Sequence, residues 1–320
     1  MIAAVVIGRN EGERLRRCLE SLQGQVGRIV YVDSGSTDGS VEMARARGVE
    51  VVALDMGQPF TAARARNAGL ERLRQGEEPD FVQFVDGDCE VRADWIGTAH
   101  SFLRDHPQVA VVCGRRRERF PEASIYNAQC DREWATPIGE ARSCGGDALM
   151  RRTALDQVGG YDPRLIAGEE PEMCVRLRAK GWKIWRLDAE MTLHDAAMTR
   201  FGQFWKRARR AGHAYAEGAY LHGAPPERHC VAQHRRALIW GLALPLTILA
   251  AALLFGFWAL LAALIYPAQI VRLARRHGYS KAAWQEATLL TLGKFAEARG
   301  AVEFHLNRRA GKRARLIEYK

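Results

Sequence analysis

The chain predicts an α/β protein, a mostly parallel Rossmann-like sheet with helices on both faces, followed by a C-terminal membrane helical hairpin. Three observations carry this reading. Short β-rich runs alternate with helical stretches up to about residue 200, the 35 residues from 237 to 271 contain no charged side chain, and basic residues crowd both flanks of that block. Parallel neighbours need a crossover, and the economical crossover is a helix, so alternation of strand and helix means a parallel sheet covered on both faces.

The first strand is Ala3–Ile7, whose apolar run stops at Gly8-Arg9 with no basic leader ahead of it. It therefore reads as a strand and not as a secretion signal, and the domain is expected to stay where it is made. Further strands follow at Arg28–Val32, Glu50–Leu54, Phe81–Val85 and Val109–Cys113, with another at Ile184–Leu187. Between them, Glu13–Leu22, Thr37–Arg47, Ala62–Arg74 and Trp95–Asp105 place apolar residues at steps of three and four, the spacing of one helical face. The composition, 48% hydrophobic and 26% charged over 320 residues, supports a buried core and excludes a disordered or fibrous chain. Seven cysteines without a C-x-x-C pair support neither a disulfide framework nor a structural zinc site, so a reducing cytosol is the expected setting.

The formal net charge of +10 is unevenly spread. Residues 1–199 hold 27 basic against 31 acidic side chains, residues 200–236 hold 8 against 2, and residues 272–320 hold 12 against 4. Basic residues that bracket an apolar block suit an anionic membrane surface, whereas a negative sheet domain without a known nucleic-acid motif argues against binding nucleic acid. One helix over 237–271 would be roughly 50 Å long against a hydrocarbon core of about 30 Å. Two short spans turning near Gly256 fit better and leave both basic flanks, His234-Arg235-Arg236 and Arg272 to Arg276, on one side. A re-entrant helix pair in one leaflet has the same topology. Upstream, Phe201, Phe204, Trp205, Ala208, Ala211, Gly212 and Tyr215 form one helical face, either an interfacial helix lying on the bilayer or an amphipathic helix packed on the soluble domain. The chain thus divides into a domain over 1–200, a helix and linker over 201–236, the hairpin over 237–271 and a basic, helical cytoplasmic tail over 272–320.

In parallel sheets ligands sit at the carboxyl ends of the strands. Those ends read Gly8-Arg9-Asn10-Glu11-Gly12, Asp33-Ser34-Gly35-Ser36-Thr37-Asp38-Gly39 and Asp86-Gly87-Asp88. Neither G-x-G-x-x-G after the first strand nor G-x-x-x-x-G-K-[ST] anywhere is present, which disfavours a dinucleotide dehydrogenase and a P-loop NTPase. Asp86 and Asp88, one glycine apart after a buried strand, can aim two carboxylates at one point, an oxygen-rich arrangement that suits Mg²⁺ or Mn²⁺.

The series Val6-Ile7-Gly8-Arg9-Asn10-Glu11, Val32-Asp33-Ser34-Gly35-Ser36-Thr37-Asp38-Gly39, Ala65-Arg66-Asn67-Ala68-Gly69, Asp86-Gly87-Asp88 and Gly168-Glu169-Glu170-Pro171-Glu172, in this order, resembles the family 2 glycosyltransferases over roughly residues 1–200. Gly145-Gly146-Asp147 and Val158-Gly159-Gly160-Tyr161-Asp162 are family-like as well. The resemblance implies an A-type glycosyltransferase fold and a nucleotide-diphospho-sugar donor. It implies that Asp88 ligates the metal, with Asp86 beside it against the ribose or the metal's waters and His194 as a third ligand. Arg9, Asn10, Asp33, Ser34, Arg66 and Asp86 would bind the nucleotide sugar, with Asp33 facing the base. Glu170, or its neighbour Glu169, would be the base that takes the acceptor hydroxyl's proton during inversion.

Two departures from the family pattern matter. Ser34 stands where the family usually has a second Asp, which leaves the nucleotide open. Gln203-Phe204-Trp205-Lys206-Arg207 replaces the Gln-x-x-Arg-Trp of processive synthases, which favours transfer of single sugars. The reading that follows is an inverting, metal-dependent glycosyltransferase at the cytosolic face of the inner membrane, acting on a lipid-linked or polysaccharide acceptor amid membrane lipids. Its rival is a non-catalytic membrane scaffold that only binds nucleotide sugar.

Overall fold

The computed structural model describes residues 1–276 and 278–312, and the basic end expected for the tail beyond 312 lies outside the described residues. The chain divides into two units, one of residues 1–121 with 130–197 and one of residues 122–129 with 198–320.

The first unit is built on β1 (Ile2–Gly8), α1 (Glu13–Leu22), β2 (Arg28–Asp33), α2 (Ser40–Ala46), β3 (Glu50–Ala53), α3 (Ala62–Leu73), β4 (Phe81–Asp86), β5 (Cys89–Val91), α4 (Trp95–Asp105) and β6 (Val109–Glu118). After α5 (Ile125–Glu133), which straddles the two units, come β7 (Gly139–Ala141), β8 (Ala148–Arg151), α6 (Arg152–Val158), α7 (Glu169–Ala179) and β9 (Lys183–His194). The sheet order is β3-β2-β1-β4-β8-β6-β9-β5, with β7 also paired to β9. β3, β2, β1 and β4 run parallel, as do β6 and β9, while β8 is antiparallel to both its neighbours.

β1 is central, and Ala3 to Ile7 are all buried because helices cover both faces. α1 presents Leu15, Cys18, Leu19 and Leu22 to the sheet at the helical repeat. α3 begins at Thr61, whose hydroxyl accepts the Arg64 N–H, and it can lie close on β1 only because residue 69 is glycine. A Cβ there would stand 2.3 Å from Val5 Cγ1.

The expected parallel core is therefore present, and the sheet extends beyond it. β5, β7 and β8 have three or four residues each, too few to show an alternating pattern. β9 runs for twelve residues instead of four, because its second half carries Asp188 and Glu190 on an open face and so breaks the apolar run. These extra strands matter for the site. β9 lies between β6 and β5 with Glu118 and Cys89 paired to His194 from either side.

The second unit is helical: α8 (Phe201–His222), α9 (Val231–Leu238), α10 (Leu244–Phe255), α11 (Ile265–Arg276) and α12 (Lys281–Arg309). α9 runs through a π-helical turn, Ile239–Ala243, into α10. Pro245 lacks the N–H that Gly241's carbonyl needs in a regular helix, which accounts for the turn. Val231–Phe255 and Phe257–Arg276 are each long and apolar enough to cross a membrane. They part at Gly256, φ 92°, the position expected for the turn. The two legs fold back on one another, with the Tyr266 hydroxyl donating to the Trp240 carbonyl at 2.8 Å.

α12 is no loose tail. It packs along α8, α9 and α11, and glycines make the approach possible. A Cβ at Gly212 on α8 would lie 1.9 Å from Glu297 O, and one at Gly300 on α12 would lie 1.9 Å from Arg209 O. The α8 face expected to meet lipid or the sheet domain is thus taken up in part by α12, against which Gly212 and Ala216 are buried.

Candidate active site

β4 delivers Asp86 to the carboxyl edge of the sheet, and the turn at Gly87 follows with Asp88. Across the edge, Gly168 at φ 80° starts α7, so Glu169 and Glu170 fall in its first turn, where the helix dipole favours acids. Arg66 on α3 joins these elements. One guanidinium nitrogen lies 2.9 Å from Glu169 and 2.7 Å from Glu170, and the other lies 2.8 Å from Asp86. Gly146 passes over this knot, since a Cβ there would stand 2.6 Å from Arg66 Nη2 and 3.0 Å from Asp86 Oδ2.

One cation shared by three carboxylates does not treat them equally. Burial works to raise the Asp86 carboxyl, but Arg66 and then Arg116 overcome it and hold Asp86 well below the ordinary carboxylate value. For Glu170 burial wins over the pull of Arg66, and with Glu169 and Asp86 adding repulsion its pKa is pushed up to about 7. The cluster thus combines a firmly ionised carboxylate with one poised to exchange a proton near neutrality.

Beside it, Asp88, Cys89 and His194 are all buried, with ligand atoms within 4.8 Å of one another. Asp88 Oδ2 is 3.4 Å from His194 Nε2, and His194 Nδ1 is 3.4 Å from Glu118 Oε2. Glu118 thereby turns the ring so that Nε2 faces Asp88. Burial, then the neighbouring Arg116, holds the His194 pKa below its usual value, which favours the neutral imidazole that a metal requires. A carboxylate, a neutral imidazole and a sulfur within this span fit a divalent cation. Among the described residues a second such group is Asp86, Cys89 and Asp147. Arg116 fills that one, 3.1 Å from Asp86 and 3.3 Å from Asp147, with its guanidinium 4.9 Å over the Trp134 ring.

Of the site residues expected from sequence, Asp86, Asp88, Arg66, Glu169, Glu170 and His194 are linked by these ion pairs and this edge. Arg66 is buried, and its guanidinium is paired with Asp86, Glu169 and Glu170. Arg9, Asn10, Asp33 and Ser34 form another group at the ends of β1 and β2. Arg9 is exposed. Asn10 Oδ1 accepts the Thr37 N–H at 2.7 Å, and the Ser34 N–H donates to Gly8 O at 3.1 Å. The Asp33 carboxylate is buried and accepts from the Tyr31 hydroxyl and from the Gly35 and Ser36 N–H groups, which shapes its own turn.

Sequence reasoning left Cys89, Arg116, Glu118 and Asp147 without roles. Asp147 sat in a family-like Gly-Gly-Asp step, and its Oδ1 accepts the Asp86 N–H at 3.0 Å. Arg116 and Glu118 lie on the second half of β6, beyond Cys113 where the expected strand stops, so the rule about strand ends points to the stretch that holds them.

Residues 4–159 match the family described as Glycosyl transferase family 2. Among curated proteins, the chain is 26% identical over 213 residues to the succinoglycan biosynthesis protein ExoA of Rhizobium meliloti, covering 62% of this chain and 64% of that one. It is 24% identical over 226 residues to the glycosyltransferase AglE of Haloferax volcanii, covering 66% and 71%. The matched stretch therefore spans slightly less than two thirds of ExoA's own length. Among solved structures, the mannosyltransferase PcManGT of Pyrobaculum calidifontis, determined with GDP-Man and Mn²⁺, superposes with a TM-score of 0.65 at 21% identity, covering 96% of this chain and 87% of that one. TarS residues 1–349 of S. aureus superposes at 0.52 and 15% identity, covering 98% and 92%. These likenesses show the A-type fold, and with the family match over residues 4–159 the chain carries a family 2 glycosyltransferase domain.

Proposed function

We propose that the chain is a membrane-attached, metal-dependent, inverting glycosyltransferase that moves a sugar from a nucleotide-diphospho-sugar to a lipid-linked or polysaccharide acceptor. The observation that carries this reading is the juxtaposition of the Glu169–Glu170 pair with the Asp86–Asp88–His194 edge, drawn together by Arg66. A binding module has no use for a half-buried carboxylate whose pKa is pushed up to about 7 beside a metal-ligand set, whereas inverting transfer needs such a base.

In this reading Glu170 accepts the proton of the attacking hydroxyl, while Arg66 keeps its carboxylate aimed across the edge. Asp88 and His194 would hold Mg²⁺ or Mn²⁺, which offsets charge on the departing nucleoside diphosphate. Glu118 keeps His194 oriented, and Asp147 fixes the backbone of Asp86. Arg9, Asn10 and Ser34 stand at the strand ends where the nucleoside would lie. Support comes from PcManGT, solved with GDP-Man and Mn²⁺, and from relatives named for glycosyl transfer.

The apolar hairpin supports the membrane part of the proposal. Leu253, Leu254, Phe255, Phe257 and Trp258 are 76–86% exposed, far beyond what a water-facing surface tolerates in one patch. Insertion from the cytosolic face of the inner membrane keeps both basic flanks on the side where nucleotide sugars are made and confines donor and lipid acceptor to one surface.

The test is release of nucleoside diphosphate from a panel of nucleotide sugars by detergent-purified chain, with Mn²⁺ or Mg²⁺ and after chelation. One donor is expected to be turned over, with at least about a 10²-fold loss on chelation and in Asp88→Ala, the scale of removing one electrostatic stabiliser. Binding of donor without turnover under any condition would favour the scaffold reading instead.

A further inference from the structure

The three strands that meet at the site bring together more than the expected acids. His194 ends β9, and its partner across β5 is Cys89. Cys89 is fully buried, yet its surroundings are polar. Its sulfur is 3.6 Å from Asp88 Oδ1, it accepts from Arg116 Nη2 at 3.1 Å, and it belongs to both metal-competent groups among the described residues. A buried cysteine ordinarily serves as a small hydrophobe, which this environment does not suit. Arg116 already sits between Asp86 and Asp147 and pairs with both, which points to Asp88, Cys89 and His194 as the group for a cation.

We propose that Cys89 is a thiolate ligand in this metal site, beside Asp88 and His194, and that the site prefers a thiophilic divalent ion such as Co²⁺, Zn²⁺ or Fe²⁺ over Mg²⁺. The inference rests on the metal-dependent reading above and makes it specific. On ligation the S–H bond breaks, its proton leaves to solvent, and the freed electron pair forms the metal–sulfur bond. Mg²⁺ wants an octahedron of oxygens and gains little from sulfur, whereas softer ions gain from a mixed oxygen, nitrogen and sulfur set. Burial, against the opposing pull of Arg116 and with Asp147 and Asp86 adding to the rise, keeps the sulfur protonated until a cation displaces the proton, and the Arg116 N–H that points at the sulfur then faces the anion.

The probe is Co²⁺, titrated into the full chain alone and with UDP or GDP, and read by absorption spectroscopy. The wild type is expected to show cobalt d–d bands together with a thiolate-to-cobalt charge-transfer band in the near ultraviolet. Cys89→Ser, which leaves six other cysteines in place, should lose the charge-transfer band. Its preference for Co²⁺ over Mg²⁺ should fall by about 10-fold or more, because even outer-shell partners of a metal carry 10–100-fold in affinity. If wild type shows d–d bands without the charge-transfer band, the sulfur ligand is overturned while the metal site stands. A band that persists in Cys89→Ser assigns the sulfur to another cysteine and overturns the proposal. No cobalt binding under any of these conditions overturns the metal site itself. Where Cys89→Ser folds poorly, Cys89→Ala is the second variant, and a wild-type spectrum without the band overturns the sulfur ligand whatever the variants do.

Discussion

The two units of this chain are built inside out with respect to each other. In the sheet unit ionisable groups are buried: Arg66, Asp88, Glu118, Asp147, Glu169 and the imidazole of His194 all lie in the interior, and they persist there because each has an opposite charge or a hydrogen-bond partner. In the helical unit apolar side chains are on the outside, and its tightest internal packing is made by glycine and alanine instead of leucine and phenylalanine. The difference teaches what each was shaped for. A buried ion cluster is a poor way to gain stability and a good way to tune reactivity, while an exposed apolar hairpin is costly in water and favourable in lipid.

That contrast can be broken by exchanging the two kinds of residue. Placing a charge on the outer face of the hairpin is expected to have the largest effect: Leu249→Arg costs about 2.5–3.5 kcal/mol of membrane insertion for a residue near a helix centre. A clear share of the protein should move from the membrane pellet to the soluble fraction or be degraded, and unchanged pelleting would show that the outer face does not meet lipid. Next comes the interior of the helical unit. Gly300→Ala drives a methyl into the Arg209 carbonyl of α8 and should destabilise by about 1–3 kcal/mol, read as a lower Tm in detergent. Gly97→Ala on α4, where a Cβ meets nothing within 4 Å, should instead raise stability by about 0.5–1 kcal/mol. Similar losses at both positions would remove the claim that close backbone approach holds α8 to α12.

The acids of the sheet unit sharpen the comparison through pH. Burial raises Glu170, so at a given pH more of it is protonated than of an exposed glutamate, and only the ionised form can take a proton. Activity should therefore rise with pH through about 7 and level off above it, falling about tenfold per unit on the acid side. A pH–rate profile whose acid limb lies near the ordinary carboxylate value of about 4.3 would place the base elsewhere.

Much of this was legible in the sequence because it depends on local pattern. Unbroken apolar runs gave the parallel strands, strand ends gave Asp86 and Asp88, and the uncharged block gave the hairpin with its break at Gly256. The sequence did not disclose what depends on sheet order. β8 inserts antiparallel between β4 and β6, and β5 pairs with the end of β9, so Asp147, Cys89 and Glu118 reach the site by pairings between segments far apart in the chain. Arg66 illustrates the same limit. Its motif suggested a contact with nucleotide, and only the three-dimensional arrangement places three carboxylates on its guanidinium. The tail's helix was legible but its close packing was not: α12 comes nearest α8 at Gly300 and Gly212, which carry no hydrophobic signal to read.

The measurement closest to the central claim, that the buried acids are reactive groups and not a structural clasp, compares Glu170→Gln with wild type for both donor binding and transfer. Glutamine keeps the size and a hydrogen-bonding oxygen for Arg66 but cannot take a proton. The account predicts transfer reduced by about 10²–10⁴-fold with donor affinity close to that of wild type. Transfer within a few-fold of wild type would contradict it and leave Glu170 as a partner of Arg66 alone.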